Sequence, residues 1–190
     1  MILYHYTSIY HLLKILKDGH LKTTESNASL TVEHFAKDVV WLTSKKDPQS
    51  ETSLGGGSTD KKQIRITVNA SVPAIKYIEW AEKNGVSKYY MGVLNEAGGQ
   101  QMQKWHVVER VIKQHEWKQI DIYDYDKNKW IPYSKESHNR LLGKILVEVQ
   151  NDQVHPIDAR SELMFNALKY LSIAPEEYFE VVSDKTLLIN

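Results

Sequence analysis

The sequence predicts an α+β protein, with a mixed core over residues 1–133 and a mainly helical extension over residues 134–190 packed on it. Three observations lead there. Short runs alternate apolar and polar residues at period two, as in QIRITV (63–68) and WKQIDIYDYD (117–126), the signature of half-buried strands. Stretches with apolar residues at helical spacing lie among them, as in SIYHLLKILKD (8–18). After Ser134 the strand pattern stops and helical spacing takes over, most clearly in ARSELMFNALKYLSI (159–173).

In chain order, ILYHY (2–6) reads as the first strand. The helix over 8–18 sets Ile9, Leu12, Leu13, Ile15 and Leu16 on one stripe, with Ser8 as N-cap and Gly19 as the residue that ends it. HLKTT is a short strand, 25–37 is irregular, and VVWLTS (39–44) is the next strand. The polar segment 45–62 contains Gly55, Gly56 and Gly57 in succession and reads as a mobile loop. QIRITV follows as a strand, then helices over 75–85 and 87–99, a strand over 104–112, and a hairpin over 118–133 that turns at DKNK. In the extension, SKESHNRLLGKI is a capped helix, residues 159–173 present Leu163, Phe165, Leu168 and Leu171 to the core, and Pro175 starts a further helix.

Composition narrows the function classes. Lys+Arg and Asp+Glu both number 24, so the formal charge is zero and a generally basic, nucleic-acid-binding surface is disfavoured. The absence of cysteine removes disulfides, thiolate nucleophiles and Cys-based zinc sites. With no apolar run of membrane-spanning length and no leader pattern, the expectation is a soluble, cytoplasmic protein.

Most chemistry-bearing motifs fail on spacing. The eight histidines include no H-E-x-x-H, so no metal is expected. DYDKNKW (124–130) has alternating calcium-loop oxygens, but Lys129 replaces the central glycine and Lys135 the bidentate acid. GGGSTDKK lacks the phosphate-loop spacing and enters a strand instead of a helix. No G-x-S-x-G elbow is present.

The N-terminal segment is different. LYHYTS (3–8) runs directly into a helix that ends ILKDGHL (15–21), and VVWLTS follows. Together these resemble the ADP-ribosyltransferase superfamily, in the His-Tyr-Glu branch that includes poly-ADP-ribose polymerases and relatives of RNA 2′-phosphotransferases. The resemblance covers roughly residues 2–112, and its specific part is the first 21 residues plus VVWLTS. It implies a split, mostly antiparallel β core flanked by helices, and NAD⁺ as substrate.

By position, the resemblance makes His5 the residue that hydrogen-bonds NAD⁺, for which a planar donor–acceptor ring is suited. Tyr6 stands where the family commonly has glycine, and Thr7 and Ser8 would support the ligand through hydroxyls. Trp41 takes the place of the aromatic that stacks on nicotinamide, Ser44 would add a hydrogen bond, and Arg65 would clamp phosphate. Glu109 is the choice for the carboxylate that stabilises the oxocarbenium-like cation, with Gln101 and Gln103 as competing registers. The implied activity is ADP-ribosyl transfer to a macromolecular acceptor, with protein favoured over DNA or RNA because net charge is zero. Bacterial or phage effectors and toxins are common in this group. The alternative is a non-catalytic protein of the same fold that binds a nucleotide or a partner, and the glycine-bearing loop is expected to act as a lid or recognition loop.

Overall fold

The computed structural model describes residues 1–24, 37–48 and 61–141, and its architecture is mixed α+β. Strand β1 (Leu3–Thr7) leads through Ser8 into helix α1 (Ile9–Asp18). The Ser8 side chain accepts from the His11 amide, and Gln63 Oε1 accepts from the Ile9 amide at 3.0 Å, so two of the donors a helix start leaves open are satisfied. At the other end Gly19 adopts φ +70° and donates its N–H to Ile15 O, the left-handed closure that glycine takes without steric penalty. The expected N-cap and C-terminal glycine of this helix are both in place.

Strands β2 (His20–Leu21), β3 (Val40–Thr43) and β4 (Ile64–Val68) come next, then a two-residue strand β5 (Ile75–Lys76) and helices α2 (Tyr77–Lys83) and α3 (Lys88–Ala97). Strands β6 (Trp105–Val108), β7 (Ile112–Lys113), β8 (Trp117–Asp124) and β9 (Lys129–Pro132) follow, with short 3-10 turns at Met102–Lys104 and Gln114–Glu116 and a helical segment over 135–141. Seven strands form one antiparallel sheet in the order β5-β6-β3-β1-β4-β8-β9, and β2 pairs with β7 separately.

Two expected elements divide. The segment 104–112, read as one strand, bends after Val108, so that β6 stays in the large sheet while Ile112 pairs with Leu21 in the small one. The segment 75–85, read as one helix, begins with an edge strand: Ile75 and Lys76 pair with Val107 and His106 before α2 starts. In both, pairing to a neighbour overrides local periodicity. The hairpin is as expected: Asp124 Oδ1 accepts from the Asp126 and Lys127 amides, and Asn128 takes φ +50°.

Burial follows the strand period. Leu3, Ile64, Ile66, Val68, Val40, Leu42 and Val108 join Ile9, Leu12 and Leu16 of α1 in one apolar cluster. Val107, Tyr77, Trp80, Ala81, Tyr90 and Met91 form a second, against which Trp41 and Trp105 pack. Tyr133 and Leu141 belong to the first cluster, so the chain on either side of the expected boundary at 133/134 shares one core. The segment 142–190, including the helix expected at 159–173, and the Gly55–Gly57 loop lie outside the described residues. No helix among the described residues is long and apolar enough to cross a membrane.

His138 is buried beside Tyr133, whose hydroxyl lies 3.0 Å from its Nδ1. Burial lowers its pKa from 6.5 to about 4. A histidine held below its unfolded value stabilises the fold fully above about pH 6.5, and that contribution fades as pH falls toward 4. The midpoint of urea unfolding is therefore expected to fall between pH 7 and pH 5, with about 2 kcal/mol of the loss due to this residue. Equal slopes in the wild type and His138→Phe would refute the assignment.

Candidate functional site

The candidate site is a seam in the sheet. β1 and β4 share five consecutive register pairs, but β1 and β3 share only Tyr4↔Thr43. Beyond that pair the two strands do not continue as a ladder, and the His5 imidazole takes up the position. Its Nδ1 lies 3.0 Å from Trp41 O, and because a carbonyl only accepts, Nδ1 carries the proton. Nε2 is then the acceptor in the neutral ring. Burial holds the His5 pKa below 6.5, with the Trp41 carbonyl opposing and the Lys61 charge adding to the fall. At neutral pH, His5 offers a lone pair, not a charge.

A cavity of about 560 Å³ opens at the seam, within the range of small-molecule sites. Tyr4, His5, Tyr6 and Thr7 of β1, Trp41, Leu42 and Thr43 of β3, and Trp105 of β6 all reach it. The β3–β6 register, Thr43↔Trp105, places Trp105 there, and the two indoles meet edge-on with centroids 6.0 Å apart. Trp41 also lies 4.9 Å from Tyr77. Gly98, the residue that follows α3, faces the Trp105 ring so closely that a Cβ there would overlap it, which fixes that position as glycine. From α1 come His11, Lys14, Ile15 and Asp18, and Lys61 is contributed just ahead of β4.

The sequence-predicted residues divide into two groups. His5, Thr7 and Trp41 are brought together at the cavity. Tyr6 reaches the lining, but its hydroxyl is held by the carbonyls of Lys45 and Lys46 at 2.9 and 2.7 Å, and its ring packs on Trp130 at 5.8 Å. Its side chain is therefore anchored on the face that carries Arg65, its register partner. Ser8 is buried as the α1 cap and also bonds His11 Nδ1 at 3.0 Å.

Ser44, Arg65 and Glu109 do not line the cavity. Ser44 bonds the Lys104 carbonyl through both N–H and Oγ. Arg65, expected as a phosphate clamp, is buried: Nη2 and Nε donate to Asp121 Oδ2 at 2.7 and 3.1 Å, Nη1 donates to Lys46 O, and the guanidinium lies 4.6 Å from the Trp130 ring centre. That fork is already filled by protein acceptors, so it cannot also take a ligand phosphate. Glu109, the expected carboxylate of the site, lies just past the end of β6 remote from Trp105, where its Oε1 accepts from Trp80 Nε1 at 2.8 Å and its Oε2 from Lys37 at 3.1 Å. Those two hydrogen bonds lower its pKa. Of the competing registers, Gln101 bonds Gly99 O, and neither it nor Gln103 reaches the lining.

Sequence reading missed His11, Lys14, Asp18, Lys61 and Trp105. A signal existed for the first three. His11, Lys14, Ile15 and Asp18 recur at i, i+3, i+4 and i+7, a second stripe beside the core stripe of Ile9, Leu12 and Leu16. Among the described residues, no group of three or more His, Asp or Glu side chains is arranged to hold a metal ion.

Comparison with known proteins gives no match to any family model, curated protein or solved structure.

Proposed function

We propose that the protein is an NAD⁺-dependent ADP-ribosyltransferase that holds NAD⁺ in the seam cavity and modifies a macromolecule, protein being favoured as acceptor. The effector role common in the resembling group is part of the proposal. The observation that carries it is His5: a neutral imidazole fixed by the Trp41 carbonyl, in the lining of an aromatic-walled cavity, where the first two motif strands part. An acceptor nitrogen suits a ribose hydroxyl, and indole faces suit a cationic pyridinium. The antiparallel order, with the His5 strand between β3 and β4 and β6 beyond β3, further supports the reading.

Glu109 favours a second reading. Among the described residues the one carboxylate lining the cavity is Asp18, which Lys22 engages at 3.0 Å, so these residues present no free carboxylate to a developing cation. A nucleotide-binding protein of the same fold without transfer chemistry fits that arrangement. Incubation with NAD⁺ and lysate, followed by measurement of nicotinamide release, separates the two. Under the transfer reading, release occurs and His5→Ala lowers it by about tenfold or more, the loss of one well-placed hydrogen bond. Binding without release supports the binder, and absence of NAD⁺ binding removes the transfer reading.

A further inference from the structure

The cavity lining is unevenly charged. Among the described residues Lys14, Lys22 and Lys61 are its lysines and Asp18 its only carboxylate, which leaves these residues with two positive charges in a chain whose formal total is zero. Lys22 is matched to Asp18, whereas neither Lys14 nor Lys61 has a carboxylate at ion-pair distance among the described residues. His11 stands in the field of both: burial lowers its pKa first, and the charges of Lys61 and Lys14 lower it further. The Lys61 charge also reaches His5. These groups therefore surround one region of the cavity.

Two other ways of meeting an anion are closed. The Arg65 fork is filled by Asp121 and Lys46, on the opposite side of β4 from the Ile64 and Ile66 core face. The α1 amides that would attract a phosphate are taken at Ile9 by Gln63 and at His11 by Ser8. An ammonium on a flexible stem can follow a bent pyrophosphate and donate to several of its oxygens.

We infer that Lys14 and Lys61 form the phosphate-binding wall of the seam cavity, so that the site selects nucleotides bearing a pyrophosphate over uncharged nucleosides. The inference rests on reading the cavity as the nucleotide site. It assigns the phosphates to the α1 side and the ring of the ligand to Trp41 and Trp105.

The test is calorimetric titration of the full chain at low and high salt with NAD⁺, ADP-ribose, inorganic pyrophosphate and nicotinamide riboside. Wild type is compared with Lys14→Gln, Lys61→Gln and, as control, Lys17→Gln, an exposed α1 lysine that does not line the cavity. Each cavity variant is expected to weaken the phosphate-bearing ligands by about tenfold and to flatten their salt dependence, while the riboside and the Lys17 control do not change. Thermal unfolding of the variants should match the wild type, since all three side chains are exposed. Lysine-dependent binding of pyrophosphate or ADP-ribose without NAD⁺ binding would uphold the wall and refute the NAD⁺ reading. NAD⁺ binding unaffected by either lysine would overturn the wall alone. Failure of every phosphate ligand to bind the wild type would also overturn it.

Discussion

Asp121→Ala is expected to destabilise the protein by about 3–5 kcal/mol, the range for removing one partner of a buried ion pair. Asp121 is 2% exposed and Arg65 6%. They face each other across the β4–β8 ladder, and both Nε and Nη2 converge on one carboxylate oxygen. With the carboxylate gone, the guanidinium keeps the Lys46 carbonyl and the Tyr4 and Trp130 rings, at 5.4 and 4.6 Å. Neither a carbonyl nor a ring face replaces a full negative charge. Removing both charges in Arg65→Met/Asp121→Leu should recover most of the loss, because an apolar pair of similar volume leaves no unmatched charge. Urea unfolding of the two single variants and the double variant measures the coupling. A single-variant loss below about 1 kcal/mol, the level of a surface pair, would show that the bridge is solvated in solution.

Trp80→Ala is expected to cost about 3–5 kcal/mol through the cavity it would leave. Trp80 is among the largest fully buried side chains, stacks on Tyr77 with centroids 6.0 Å apart, and holds Glu109 through its indole N–H. Trp80→Phe keeps most of the volume and loses mainly that hydrogen bond, so its cost should stay near 1 kcal/mol. The difference bears on the site, because Tyr77 backs Trp41 and Trp105 from the same cluster. If the alanine and phenylalanine variants unfold at the same denaturant concentration, packing around Trp80 contributes little and the aromatic wall must be supported elsewhere.

The legible parts of this chain are those that local chemistry decides. Ser8, the apolar stripe of α1 and Gly19 announce a helix with both ends closed, and alternation announces β4 and β8. What a single sequence does not carry is which strand lies beside which, and therefore what covers each face. Period two puts Arg65 opposite Ile64 and Ile66, but the residue that neutralises it lies 56 positions later on β8. Glu109 has the right residue type one step past a strand, yet the register of β6 on β3 brings Trp105 beside Thr43 instead. At position 41 the sequence shows the indole and hides the backbone. Its indole was expected, but it is the backbone carbonyl that fixes the tautomer of His5, and a carbonyl leaves no mark in a sequence.

The parting of β1 from β3 also has a mechanical consequence. A sheet normally resists being spread along its hydrogen-bonding direction because every rung shares the load. At this seam, one paired rung and the His5–Trp41 link bear it, while the neighbouring β1–β4 junction keeps five. A wedge entering between these strands would meet one rung and one side-chain bond and leave β4, β8 and β9 zipped together. Across that seam the imidazole is the latch.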